Sequence, residues 1–165
     1  MKIQDIGIID LIQKDAYRPD LWEGKNVIAD KIQLYTDGCW VSEYNQKIVG
    51  YLISYPGNYN KPSPHNKISK IISNQSDCYF IHDIAVDSKK RDCGVGASLI
   101  KKAFQIAESQ KFSVITLIAV QNTIFNSGVS YGFKKIENNS LESNKIIKSY
   151  GKDAVYMERK LISIN

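Results

Sequence analysis

The string Arg91-Asp92-Cys93-Gly94-Val95-Gly96-Ala97-Ser98 holds the densest chemistry in the sequence. A β-rich run at 79–86 and a polar stretch at 87–93 lead into it, and helical spacing follows at Val95, Leu99, Ala103 and Ile106. Two glycines two apart let a backbone come close to a ligand. The unpaired amides of a helix's first turn, at the positive end of its dipole, then form an anion site. Lys89, Lys90 and Arg91 flank this point, and Lys101 and Lys102 lie two turns into the helix, so a pyrophosphate suits it. Gly-x-Gly alone equally fits a plain tight turn from strand to helix. Leu99 replaces the third glycine of Gly-x-Gly-x-x-Gly, and no Gly-x-x-x-x-Gly-Lys-Ser/Thr occurs, so dinucleotide-fold and nucleoside-triphosphatase signatures are missing.

Such a loop needs elements to hold it. Ile8, Leu11, Ile12 and Ala16 recur at helical spacing, and after Arg18-Pro19 so do Val27, Ile28, Ile32 and Tyr35, which predicts two opening amphipathic helices. Thr36-Asp37-Gly38 ends the second, and β-rich runs at 39–44 and 47–55 joined by Asn45-Gln46 predict a hairpin. Residues 56–77, with Pro56, Gly57, Pro62 and Pro64 among asparagines and serines, read as a loop of a length often found in lids. The strand at 79–86, the helix from Val95 and an apolar strand at 113–120 make a parallel crossover. A short helix or turn at 122–129, a strand at 133–136, a polar loop and a closing strand at 154–161 complete a mixed α/β or α+β domain.

Composition is that of an ordinary globular chain: 165 residues, 43% hydrophobic and 24% charged. Residues 1–50 carry six basic and eight acidic side chains, residues 51–165 sixteen and nine, so −2 and +7 make up the net +5. That asymmetry fits a lysine-rich surface, a nucleotide ligand or a nucleic acid. Cys39, Cys78 and Cys93 have no Cys-x-x-Cys spacing and only His65 and His82 beside them, too few for a disulfide framework or a structural zinc site. The apolar run at 114–120 contains Thr116 and falls far short of the roughly 20 residues of a membrane-spanning helix. Gln4, Asp5 and Asp10 interrupt any secretory core, so a cytoplasmic protein is expected.

Ile84-Ala85-Val86 followed by Arg91-Asp92-Cys93-Gly94-Val95-Gly96 resembles the strand and Arg/Gln-x-x-Gly-x-Gly/Ala loop of the coenzyme A site in the GNAT superfamily of acetyl-CoA-dependent N-acetyltransferases. The resemblance extends to Asn122 after the apolar strand and to Tyr131-Gly132-Phe133, similar to the family's closing Gly-Phe, and the order of elements matches over nearly the whole chain. It implies a central mixed sheet of about six to seven strands with splayed central parallel strands, flanked by about four helices. It also implies one acyltransferase domain over 1–165: acceptor-side helices and hairpin at 1–55, a loop at 56–77, the acetyl-CoA-binding core at 78–136, and a C-terminal loop and strand at 137–165.

By the same resemblance, acetyl-CoA is the co-substrate and no metal is needed. The pantetheine arm pairs like an extra strand with the backbone of Ile84, Ala85 and Val86. The pyrophosphate takes the amides of Asp92, Cys93, Gly94, Val95, Gly96 and Ala97, with Arg91 and Ser98 in the same loop, and Asn122 contacts the arm. Lys89 and Lys90 suit the nucleotide phosphates or are simply a solvated pair. Transfer requires a neutral amine, donors for the oxyanion and an acid for the leaving thiolate. His82 is placed similarly to a catalytic histidine of arylalkylamine acetyltransferases, whereas the glutamate of histone acetyltransferases falls at Phe80; His82 as base and a water relay both stay open. Asp83 is the adjacent candidate, on the opposite face of a regular strand unless a bulge turns it round. The family's usual tyrosine acid falls at Gly128, which leaves Tyr131, Ser127 and Ser130, with packing beneath the sheet the other reading of Tyr131.

On the acceptor side, Glu23, Asp30, Asp37 and Glu43 with Trp22, Trp40, Tyr44, Tyr55 and Tyr59 suit a cationic or aromatic amine. The expected reaction moves the acetyl group to a primary amine of a small molecule, with a protein or peptide amine as the alternative and a coenzyme A sensor without turnover as another. The cations do not interleave with exposed aromatics, which disfavours a nucleic-acid module. No membrane partner is expected, and a homodimer is left open.

Overall fold

A computed structural model describes residues 1–67, 72–120 and 131–161. The two opening helices form where the spacing places them: α1 (Ile6–Ala16) and α2 (Lys25–Leu34). α1 buries Ile9 and Ile12, and α2 buries Ile28 and Ile32, each side chain worth roughly 1.5–3 kcal/mol. β1 (Cys39–Tyr44) and β2 (Lys47–Gly57) form the hairpin. Asn45 and Gln46, at φ 48° and 61°, supply the left-handed pair that a two-residue turn needs. β3 (Cys78–Val86), α3 (Val95–Ser109) and β4 (Val114–Ala119) are the crossover, followed by β5 (Lys134–Lys135), α4 (Leu141–Ser149) and β6 (Val155–Lys160).

The fold is a mixed α/β structure; among the described residues six strands run β1-β2-β3-β4-β6-β5, with β3–β4 parallel and the other pairings antiparallel. One face carries α1, α2 and α4, where Ile9, Ile12, Ile28, Ile32 and Ile147 pack with Tyr51, Ile53, Tyr55 and Phe80. The other carries α3, whose Leu99, Ala103, Ile106 and Ala107 cover Leu52, Tyr79, Ile81, Ile115 and Leu117. Gly50 makes this second layer fit, because a Cβ there would stand 2.9 Å from Val95 Cγ1 and 3.0 Å from the Ala85 carbonyl. Its bare backbone fixes where α3 starts over the sheet.

Two expectations need correction. The polar loop expected after residue 136 contains α4, capped by Ser140, whose hydroxyl accepts from the Ser143 amide at 3.1 Å. α4 buries Ser143 and Ile147 and leaves Leu141 exposed, so its apolar stripe is too thin to stand out. The strand expected at 133–136 narrows to two exposed lysines, which suit a sheet edge. The segment expected at 122–129 lies outside the described residues. Among those described, no helix is long and apolar enough to cross a membrane.

Candidate active site

The parallel ladder between β3 and β4 is short: Tyr79, Phe80 and Ile81 oppose Ile115, Thr116 and Leu117, and then the strands part. On its other side β3 stays paired with β2, Ala85 opposite Tyr51 and Asp83 opposite Ile53, and the Asp87 amide donates to the Val49 carbonyl at 2.9 Å. By alternation, Ile84 and Val86 turn their backbone groups into the gap. The Ile84 carbonyl accepts from the Tyr17 hydroxyl at 2.7 Å. A cleft occupies the gap, with Ile81, Ile84, Leu117, Ile118 and Val120 as its apolar walls.

Beyond Val86 the chain turns toward α3. Ser88 donates its amide to Asp15 at 2.7 Å, and Asp87 accepts from the Lys89 amide at 2.9 Å. Asp92 and Gly94 are left-handed, at φ 64° and 76°, and α3 begins at Val95. The Ser98 amide closes the first turn on the Gly94 carbonyl at 3.0 Å, so the helix itself supplies no acceptor for the amides of Val95, Gly96 and Ala97. Among the described residues, a Cβ on Gly96 would meet only Val86 Cγ2, at 3.7 Å, and nothing lies within 4 Å of one on Gly94. This open cradle, on a fifteen-residue helix, fits a pyrophosphate. Arg91, Asp92 and Cys93 are exposed beside it. The Ser98 hydroxyl donates to the Val95 carbonyl at 2.8 Å, and Lys90 lies over the Tyr44 ring at 4.1 Å, so both have partners of their own.

At the point of divergence a buried acid–base cluster fills one wall. The β2–β3 register slips between Ile53 and Ser54, which pair with Asp83 and Ile81, so His82 is a bulge residue. The slip turns His82 and Asp83 to the same side, and both line the cleft. His82 Nε2 is 3.1 Å from each Glu23 oxygen, and Nδ1 is 3.0 Å from the Tyr55 hydroxyl. Glu23 also takes Lys31 Nζ at 3.1 Å and the Asn66 amide at 2.8 Å. Burial opposes Glu23 ionisation, but His82, Lys31 and the Asn66 amide outweigh it and hold the carboxyl below its usual range. Asp83 goes the other way: burial raises its pKa and the Glu23 charge adds to this, against the pull of Tyr51, Tyr17 and His82. Burial likewise raises Tyr17, Tyr51, Tyr55 and Tyr150, so all four stay neutral phenols.

The long loop crosses this wall. Its Asn66 side chain accepts from the Gly24 amide at 3.0 Å, His65 Nε2 is 3.1 Å from the Leu21 carbonyl, and Ser63 accepts from Tyr150 at 2.7 Å. Tyr55 also lines a second pocket, with Asn58, Lys61 and Phe80.

Of the residues singled out in the sequence, His82, Asp83, Ile84 and Glu23 meet in the cleft. The loop from Arg91 to Ser98 lies beyond the end of β3. Tyr131 stands apart from the cleft: it packs against the core on the α3 face, and its carbonyl accepts from Arg159 at 2.6 Å. Asn122, Ser127, Gly128 and Ser130 lie outside the described residues. Trp40 lies under Lys102 at 3.7 Å, on the outer strand. Sequence reasoning missed Tyr17, His65 and Tyr150 as cleft residues. Tyr17 stands at the end of α1, where only the helix stop at Arg18-Pro19 marked the position.

The sequence model of the acetyltransferase (GNAT) family matches residues 7–126. Among curated proteins none matches the chain. Among solved structures, a GphF GNAT-like decarboxylase in complex with isobutyryl-CoA superposes with a TM-score of 0.81 at 11% identity, covering 98% of this chain and 97% of that one. Rv2747 from Mycobacterium tuberculosis, in complex with CoA and NLQ, gives 0.69 at 16% identity, over 98% and 96%. The ribosomal-protein-S18-alanine N-acetyltransferase from Escherichia coli gives 0.65 at 15%, over 100% and 94%. At these identities the likeness is one of fold.

Proposed function

The chain belongs to the acetyltransferase (GNAT) family, and from that membership we propose that it moves the acetyl group of acetyl-CoA to a primary amine of a small molecule, by direct attack in a ternary complex. The observation that carries the reading is the gap between β3 and β4, with an anion cradle beyond the end of β3 and a buried acid–base cluster where the strands part. Two similar structures hold an acyl-CoA or CoA, and a third is named for an alanine amine acceptor.

In this reading the Val95, Gly96 and Ala97 amides hold the pyrophosphate and the backbone of Val86 faces the pantetheine arm. The Ile84 carbonyl is engaged by Tyr17, so the arm reaches that residue through its amide. Glu23 keeps a proton on His82 Nε2, which leaves Nδ1 to accept from Tyr55, an alignment of hydroxyl, imidazole and carboxylate that moves a proton readily. Both ring nitrogens have protein partners, so His82 takes the amine proton through a relay and not by touching the amine. The apolar walls with Tyr17, His65 and Tyr150 suit an amine on an apolar or aromatic body. The long loop, latched through Asn66 and His65, adds the His65 ring to the cleft wall, which suits a small acceptor.

Calorimetric titration with coenzyme A, followed by a thiol-release screen of small primary amines and peptide N-termini, tests this. Binding with release by small amines is expected. No heat at millimolar coenzyme A would remove the reading, and release by peptides alone would transfer it to a protein acceptor.

A further inference from the structure

The Tyr17 hydroxyl is 2.8 Å from Asp83 Oδ1 and 2.7 Å from the Ile84 carbonyl, and the Tyr51 hydroxyl is 2.6 Å from Asp83 Oδ2. These three contacts join oxygen to oxygen, and each needs one proton. Two phenols bring two protons, a carbonyl brings none, and an ionised carboxylate brings none. With Asp83 ionised, Tyr17 serves either the carboxylate or the carbonyl, and the other contact becomes two lone pairs facing each other. A proton on Asp83 Oδ1 completes the set: Asp83 donates to Tyr17, Tyr17 to Ile84, and Tyr51 to Asp83 Oδ2.

We propose that Asp83 is a neutral carboxylic acid in the resting protein and that, through the Tyr17 hydroxyl, it supplies the proton taken up by the leaving thiolate. The second half rests on the acetyl-transfer reading above. The surroundings agree. The charged and titratable groups facing Asp83 are His82 beside it on β3, Glu23 from the α1–α2 connection, Tyr17 at the end of α1, Tyr51 on β2 and Tyr150 after α4. Among the described residues no lysine or arginine forms an ion pair with it. Burial and the Glu23 charge favour the neutral acid and outweigh the pull of Tyr51, His82 and Tyr17 toward the carboxylate.

Position suits the role, because Tyr17 and Asp83 line the cleft and the chain of donors ends at Ile84, whose backbone faces the gap. The step balances. An N–C bond forms, and the C–S bond breaks with its electron pair on sulfur. The amine proton goes to the His82 relay, sulfur takes the Tyr17 proton, and Tyr17 takes that of Asp83. One proton then leaves His82 for solvent as one returns to Asp83.

Infrared difference spectra of the whole protein at neutral pH, wild type against Asp83→Asn, read the protonation state directly. A protonated-carboxyl stretch that the substitution removes is expected, shifting in Tyr17→Phe as its hydrogen-bond partner is lost; a carboxylate signal alone would overturn the proposal. The second measurement is the pH profile of thiol release from acetyl-CoA. Wild-type turnover should fall on the alkaline side as the acid ionises. Asp83→Asn keeps the shape and the contact with Tyr17 but has no acid proton, so it should lose that limb and at least thirtyfold in kcat, with coenzyme A affinity within threefold and circular dichroism unchanged. Asp83→Asn within threefold of wild type at every pH would overturn the relay. The infrared result needs no turnover, so a protein that shows the band but releases no thiol would refute the transfer reading and leave the neutral acid standing.

Discussion

Replacing Glu23 by glutamine keeps the shape of the side chain and removes its charge. Lys31 has no exposed surface and stands 3.1 Å from that carboxylate, so the substitution strands a buried ammonium. Breaking a buried pair in this way costs about 3–5 kcal/mol. For a chain of this length each kcal/mol moves Tm by roughly 2–4 °C, so Glu23→Gln should melt roughly 6–20 °C below wild type at neutral pH. The pH dependence has a definite sign. Glu23 is held below the ordinary carboxylate range in the folded protein, so its stabilisation is complete above the unfolded value and fades as pH falls through and below it. Wild-type and Glu23→Gln melting curves should therefore converge in acid. Adding Lys31→Met removes the stranded charge and should recover most of the loss. Scanning calorimetry across pH 3 to 8 checks all three points. A neutral-pH Tm within about 2 °C of wild type for the single variant, or a double variant no more stable than it, would refute this account of the cluster.

The helix start offers a substitution with opposite effects on stability and binding. Gly96→Glu introduces a carboxylate into the first turn of α3, where it complements the helix dipole by about 0.3–1 kcal/mol, while occupying the anion cradle. Melting should stay within a few degrees of wild type and coenzyme A binding should vanish by calorimetry. His82→Ala should lower kcat/KM by roughly a hundredfold with coenzyme A binding unchanged; a variant within about threefold of wild type would remove His82 from the mechanism. Tyr131→Phe should change turnover by less than tenfold, about 1.4 kcal/mol of barrier, because its ring packs on the α3 face away from the cleft. A drop of a hundredfold in single-turnover kinetics of the folded variant would make Tyr131 the acid.

Elements whose signals are local were legible. The hairpin follows from Asn45-Gln46 between β-rich runs, and α3 from its apolar spacing after two glycines. α4 was hidden because it buries so few side chains, although Ser140 three residues before Ser143 was a capping signal in plain view. The site was legible in its loop and less so in its cluster. Alternation sends His82 and Asp83 to opposite faces, and only the register slip against Ile53 and Ser54, a property of two strands together, reunites them. Tyr17 meets Asp83 across 66 positions of sequence, a contact that no local pattern encodes. Lys31 reads as a solvated charge on α2 because its partner, eight residues back, belongs to a connection whose path depends on the sheet.

The most direct test of acetyl transfer is to count both products in one reaction. Purified protein, acetyl-CoA and a panel of small primary amines are incubated together; free coenzyme A thiol is titrated and acetylated amine is quantified by mass spectrometry. The account predicts an amine for which the two appear in a one-to-one ratio, with neither formed by Gly96→Glu. Thiol without acetylated amine, or no product at all from a protein saturated with acetyl-CoA across the panel, would contradict it.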